Sequence, residues 1–198
     1  MRIEGKRIMR KRLELDDVYA MRNWGYHSNP LLADYNFPIL NNEEVKKWYR
    51  LKTKFFLNKY YGIFKKDKVL IGYMGIKNIK LIRGQSTLGI VLDPNYIDRG
   101  YGSEILRCFL DYYFNRMNMK RMYLEVAKFN KRAYRLYKNM GFTTTSYYLD
   151  EFFNPDLDLN NNYYLNSKSC FVIRGKKIYN YIYQMRLEKD IFLDKFLR

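Results

Sequence analysis

Two stretches of the chain hold residues whose types and spacing can do chemistry. In the first, Asp98-Arg99-Gly100-Tyr101-Gly102-Ser103 follows the apolar run Leu88-Gly89-Ile90-Val91-Leu92 and the pair Asp93-Pro94, and precedes a segment of helical periodicity. A strand that breaks at glycines and resumes as a helix leaves the helix's first backbone N–H groups unpaired. With the positive end of the helix dipole behind them, those groups bind phosphate without a cluster of basic side chains. Gly100 and Gly102 carry no Cβ, so the backbone there can approach an anion closely. A plain loop-to-helix turn is the alternative reading of the same two glycines. In the second stretch a strand glutamate, Glu125, is followed by Asn130 and then by Tyr137 on the next helix. Glu125 is a candidate general base, a carboxylate that can take a proton from a nucleophile directly or through water. Other chemistries have little to work with. His27 is the only histidine, which argues against a Ser-His-Asp or Cys-His centre, and it reads as a loop or surface residue. Cys108 and Cys170 stand far apart with no CxxC pair and no adjacent histidine, so no metal site and no disulfide framework is expected.

The elements that must position these residues follow from periodicity. Arg7 to Leu15 suits a strand, with Asp16 capping a short helix through Arg22. Pro30 and Pro38 flank a loop, after which Asn41 and Glu44 have capping-box spacing ahead of Val45, Trp48 and Tyr49 on one helical face. Short runs rich in Ile, Val and Tyr, broken by Lys66-Asp67-Lys68 and Arg83-Gly84-Gln85, predict three antiparallel strands near 60–65, 69–79 and 86–92. Ile105, Leu106, Phe109, Leu110, Tyr113 and Met117 recur at helical spacing, Met122 to Ala127 reads as a fifth strand, and Ala133, Leu136, Tyr137 and Met140 mark a helix stopped at Gly141. Phe142 to Leu149 and Ile178 to Leu187 supply two more strands, and Lys189 to Arg198 a last helix. The fold class is therefore α/β: one domain over 1–198 with a mixed, mostly antiparallel sheet flanked by helices. Asp150 to Asn162, with its acids and three consecutive asparagines, reads as a long loop in an insert reaching about 169.

Both chemical stretches resemble the GNAT superfamily of N-acetyltransferases. Asp98 to Ser103 looks like its diphosphate-binding signature of Gln or Arg, two residues, Gly, one residue, then Gly or Ala. Ile97 stands where Gln or Arg is usual, and Asp98 brings a negative side chain to the turn. Tyr123 to Phe142 resembles the closing part of that fold, a Leu-Glu-Val strand, an Asn, then Leu-Tyr-x-x-x-Gly-Phe. The resemblance implies a GNAT fold whose fourth and fifth strands splay apart around acetyl-CoA. It implies that Ile90, Val91 and Leu92 pair with the pantetheine arm, that Asp98, Arg99, Gly100, Tyr101, Gly102 and Ser103 surround the diphosphate, and that Asn130 and Tyr137 also touch the cofactor. It gives Tyr137 the part of acid, a phenol protonated at neutral pH that can donate to a leaving thiolate. Core packing beside Ala133, Leu136 and Met140 is the alternative for Tyr137, and a solvent-facing strand position the alternative for Glu125. The Glu125-Asn130-Tyr137 spacing, and more loosely Leu13-Glu14-Leu15-Asp16-Asp17 with Met21 to Trp24 and Pro30, is similar to the branch that acetylates N-terminal alanine or serine of ribosomal proteins. The expected acceptor is thus a primary amine: first a protein N-terminus, then lysines, polyamines and aminoglycosides.

Composition bounds the competing readings. With 47% hydrophobic and 18% aromatic residues in 198, the chain has material for a packed core. No signal-like or membrane-spanning apolar run occurs, so a cytoplasmic location is expected. The net charge of +17, from 37 Lys+Arg against 20 Asp+Glu, attracts polyanions. With the aromatics it motivates one rival, a basic RNA- or ribosome-binding protein, while the departures at Ile97 and Asp98 motivate another, a non-catalytic acyl-CoA-binding or regulatory module. Tyr147, Tyr148, Tyr163 and Tyr164 are candidates for a base-stacking platform or for strand packing. Asp150, Glu151, Asp156 and Asp158 are candidates for an acidic lip facing a cationic amine, or for a solvated loop.

Overall fold

Alternation between Tyr60 and Leu92 builds the centre of the sheet. In a computed structural model, which describes residues 3–154 and 157–196, a first strand β1 (Ile3–Glu4) pairs with β2 (Ile8–Arg12), and β3 (Lys59–Lys65), β4 (Leu70–Lys80) and β5 (Gln85–Leu92) follow antiparallel. Next come β6 (Arg121–Ala127), β7 (Thr143–Glu151), β8 (Phe171–Arg174) and β9 (Lys177–Glu188). The sheet order is β1-β2-β3-β4-β5-β6-β9-β7, with β8 also paired to β9. Among the described residues only β5 and β6 pair in parallel, joined by the crossover helix α3 (Tyr101–Asp111).

That parallel pair is short. It holds Gln85↔Arg121, Ser86↔Met122 and Thr87↔Tyr123 and then stops, while β5 stays with β4 to Gly72↔Leu92 and β6 stays with β9 to Ala127↔Ile182. The fourth and fifth strands of the sequence reading, here β5 and β6, therefore part like a V above Thr87. One side chain locks the closed end. The buried Tyr113 hydroxyl donates to the Arg121 carbonyl at 2.7 Å and accepts from Ser86 Oγ at 2.9 Å, tying both strands to the helical segment beneath them.

Side chains alternate across the sheet, and each face has its own core. On one face Met74, Ile76, Leu88, Met122, Leu124 and Val126 pack against Ile105, Phe109 and Tyr113, together with Tyr137 of α4 (Lys131–Asn139) and Phe192 of α6 (Lys189–Phe196). On the other, Tyr60 and Tyr73 pack with Trp24, Phe37, Val45 and Trp48, the last two on α2 (Asn42–Thr53). The Asn41/Glu44 capping box forms as its spacing predicts. The first helix, α1 (Leu15–Ala20), is capped by Glu14 with Asp17 rather than by Asp16, because the reciprocal bonds need residues three apart.

The insert is more than a loop. After β7 it forms the single turn α5 (Asn162–Leu165), and just past it β8 runs as a hairpin partner of β9. Tyr164, Cys170 and Phe171 bury a third small core with Leu31, flanked by Phe129 and Phe152. No 3.6-residue or two-residue period marks these residues, so the sequence pattern concealed them. Tyr147, Tyr148 and Tyr163 are exposed and Tyr164 is buried, so the four do not share one surface platform. Asp156 and the last two residues of the predicted terminal helix lie outside the described residues.

Candidate active site

The V between β5 and β6 opens into a cleft of about 580 Å³ that passes through the sheet and is lined from both faces. Ile90, Val91 and Leu92 line it from β5, and Glu125 and Val126 from β6. Above Thr87 the β6-facing edge of β5 has no strand partner among the described residues, leaving backbone donors and acceptors along 88–92 open to the cleft.

At one end Gly100, with φ of 79°, caps α3, and Asp98 before it also takes a left-handed φ of 57°. Two positive φ values in three residues turn the chain sharply enough to aim the next amides outward, and no side chain caps the helix. The N–H groups of Tyr101, Gly102 and Ser103 thus occupy the helix's unpaired first turn. Packing is tight at Gly102 as well, since a Cβ there would press on Leu136 Cδ2 at 3.2 Å. A residue that the sequence reading passed over buttresses the turn. The Arg7 backbone N–H and Nε donate to the two carboxylate oxygens of Glu104 at 2.7 and 2.8 Å, Nη1 donates to the Arg99 carbonyl at 3.1 Å, and the guanidinium lies 4.7 Å from the Tyr101 ring centroid.

Asp98, Gly100, Gly102 and Ser103 line the cleft as expected, whereas the Arg99 and Tyr101 side chains do not. Arg99 lies over the Tyr96 ring, and Tyr101 packs edge-on to the same ring, so at these positions only the backbone faces an anion. The negative charge of Asp98 is matched by Arg132 Nη1 at 3.5 Å, which the sequence distance concealed.

Asn130 and Tyr137 both line the cleft. Asn130 caps α4 by accepting from the Ala133 N–H at 3.1 Å, and the Tyr35 phenol lies beside its side chain. Tyr137 is 7% exposed, edge-on to Phe142, and burial followed by the nearby Tyr35 phenol pushes its hydroxyl well above the usual tyrosine range. It is therefore both a core residue and a cleft residue, and it keeps its proton. Tyr35 itself was not legible in the sequence. It closes the short helical turn Pro30–Tyr35, which crosses the cleft and is held by Asn154 Nδ2 donating to the Pro30 carbonyl at 3.1 Å and by Leu31 in the insert's core. The same crossing places His27, a loop residue as its sequence context suggests, at the cleft wall. Burial, and then the charge of Arg132, lower its pKa.

Glu125 points to the opposite face from Tyr137. It is exposed and accepts from Gln184 Nε2 at 3.1 Å, with the Tyr148 phenol nearby, so it is oriented but open to water. Among the described residues no group of His, Cys, Asp and Glu is arranged to hold a metal ion, and no helix is long and apolar enough to cross a membrane.

These features fit a pantetheine-diphosphate chain: an open strand edge for amide pairing, a dipole-backed turn for the diphosphate, and a buried phenol where the two meet. Residues 7–143 match the family model described as an acetyltransferase (GNAT) domain. The spermidine N(1)-acetyltransferase of Vibrio cholerae is 24% identical over 164 residues, covering 83% of this chain and 91% of that protein. The uncharacterized N-acetyltransferase YnaD of Bacillus subtilis is 27% identical over 143 residues, covering 71% and 82%. Among solved structures, the Vibrio cholerae spermidine N-acetyltransferase in complex with CoA and spermine superposes with a TM-score of 0.71 at 21% identity, covering 96% of this chain and 99% of that one. These relatives do not support the narrower expectation of the ribosomal-protein branch.

Proposed function

Since the chain belongs to the GNAT acetyltransferase family and is an acetyl-CoA-dependent acyltransferase, we propose that it moves the acetyl group to the primary amine of a small molecule by direct attack, with both substrates bound at once. The observation that carries this reading is the cleft's passage through the sheet. The helix-turn amides and Tyr137 stand toward one face and Glu125 toward the other, so donor and acceptor can enter from opposite sides and meet at the V. A small amine suits the relatives named as spermidine acetyltransferases better than a protein N-terminus does.

Acetyl-CoA supplies the acyl group as an activated thioester. In this assignment the first-turn amides of α3 hold its diphosphate and the open edge of β5 holds its amide arm. A backbone N–H in the Ile90 to Leu92 stretch donates to the thioester oxygen as negative charge develops there. Glu125, through a water, takes the proton that the amine sheds as the new C–N bond forms. Tyr137 gives its proton to the sulfur as the C–S bond breaks, and it regains one from solvent. The test is free-thiol release from acetyl-CoA by the purified chain with and without a panel of primary amines. Release that depends on the amine supports the proposal; release indifferent to amine, or none, refutes it.

A further inference from the structure

The acceptor side of the cleft has a floor made of absent side chains. Gly75 and Gly89 face each other across the β4–β5 ladder, and by alternation both present their empty positions to the α2 face of the sheet. A Cβ on Gly75 would strike the Tyr60 ring at 2.5 Å, whereas a Cβ on Gly89 would meet nothing within 4 Å. The result is a hollow over Gly89, with the Tyr60 and Tyr73 rings as walls, and it lies on the Glu125 side of the V.

Two lysines border this hollow. Lys77 follows Gly75 by two residues on the same face, about 7 Å along the strand. Lys52 reaches in from the last turn of α2, its ammonium 5.2 Å from the Trp48 ring centroid and 5.8 Å from that of Tyr60. Both line the cleft, and among the described residues neither has a carboxylate partner. Burial, and then the charge of Lys77, lower the pKa of Lys52, as expected for a cation without a counter-ion. The helix turn suited to the diphosphate packs on the opposite face, so these two charges are not needed there. Of the carboxylates lining the cleft, Asp98 is matched by Arg132 and only Glu125 stands open. Such a wall repels a polycation. It suits a molecule with an amine at one end, near Glu125, and an anion at the other.

We infer that the acceptor is a small primary amine bearing a carboxylate or phosphate a few bonds from the nitrogen, and that Lys52 and Lys77 hold that anion over the Gly75–Gly89 hollow. The inference rests on the transferase reading and narrows it. The test uses acceptors of matched length that differ in the charge of the far end: 5-aminopentanoate and 4-aminobutyl phosphate, neutral pentylamine, and dicationic 1,5-diaminopentane, with spermidine alongside. The intact chain is expected to favour one of the two anionic amines in kcat/KM, and which one tells a carboxylate acceptor from a phosphate one. Lys52→Gln and Lys77→Gln should each lower the ratio of kcat/KM for that amine over pentylamine by about tenfold, the loss of one charge-assisted contact. The double variant Lys52→Glu/Lys77→Glu should reverse the order in favour of 1,5-diaminopentane. A preference of the unaltered chain for spermidine or 1,5-diaminopentane would overturn the inference while leaving the transferase reading intact. So would lysine variants that weaken acetyl-CoA binding but leave the acceptor ratio unmoved. No thiol release with any of the amines would sink the transferase reading itself, and this one with it.

Discussion

Replacing Tyr137 by Phe removes one oxygen and tests the core of the mechanism. The ring is 7% exposed and packs edge-on to Phe142, contacts that Phe retains, so stability should change by less than about 1 kcal/mol. The lost group is the proton donor. Burial raises the phenol's pKa further above neutrality, so wild-type Tyr137 carries its proton at every working pH and its absence cannot be masked by titration. A positioned acid contributes about 10²–10⁴-fold, and the leaving thiolate, with a parent pKa near 8.5, is only a moderately poor leaving group. The lower half of that range is therefore expected: kcat falls about 10²–10³-fold, roughly 3–4 kcal/mol of barrier. Calorimetric binding of acetyl-CoA should hold within about twofold, because the phenol's work comes after binding. An internal control is an acyl donor such as p-nitrothiophenyl acetate, whose acidic thiol needs no proton to leave; there the Tyr137→Phe defect should shrink. A kcat within threefold of wild type, or a defect equal for both donors, would refute the assignment and return Tyr137 to a packing role.

Gly89→Ala should fold with little change in melting temperature, since its Cβ meets nothing within 4 Å, yet narrow the acceptor hollow; thiol release measured beside acetyl-CoA binding should show amine turnover lowered and cofactor affinity kept. Tyr113→Phe removes the phenol that donates to the Arg121 carbonyl and leaves the Ser86 hydroxyl only Met122 Sδ at 3.7 Å, and should cost about 2 kcal/mol. At this chain length that is a fall of about 4–8 °C in a thermal melt. Because the folded state lowers the His27 pKa, the unfolded chain binds more protons in that range, and stability falls as pH drops below about 6.5 through the folded value. Denaturant midpoints at pH 7 and pH 5 should therefore differ less in His27→Asn than in wild type.

Much of the framework could be read without coordinates. The Asn41/Glu44 capping box, the strands around 60–92 and the glycine-led helix at Tyr101 came from contiguous residues whose spacing dictates local geometry. The same holds for Glu125, Asn130 and Tyr137, which sit on one strand and the helix that follows it. What the pattern did not show lies where the chain crosses itself. At Arg99 and Tyr101 the side chains pack on the Tyr96 ring, so only their backbone is presented to the turn. The insert read as a loop because its strand and helix turn are too short to show a period, and His27 and Tyr35 reach the cleft only because that insert pins their segment across it.

Sequence alone determined the backbone chemistry, that of free amides at a glycine-capped helix start and a strand followed by an acidic and a phenolic side chain, because hydrogen-bond supply and dihedral freedom are properties of neighbouring residues. Tertiary structure alone decided how far β5 and β6 part, that Arg132 matches Asp98, and that Lys52 and Lys77 line the same cleft as the paired Gly75 and Gly89. Those depend on which distant segments the two cores bring together, and charge and burial act through space rather than along the chain.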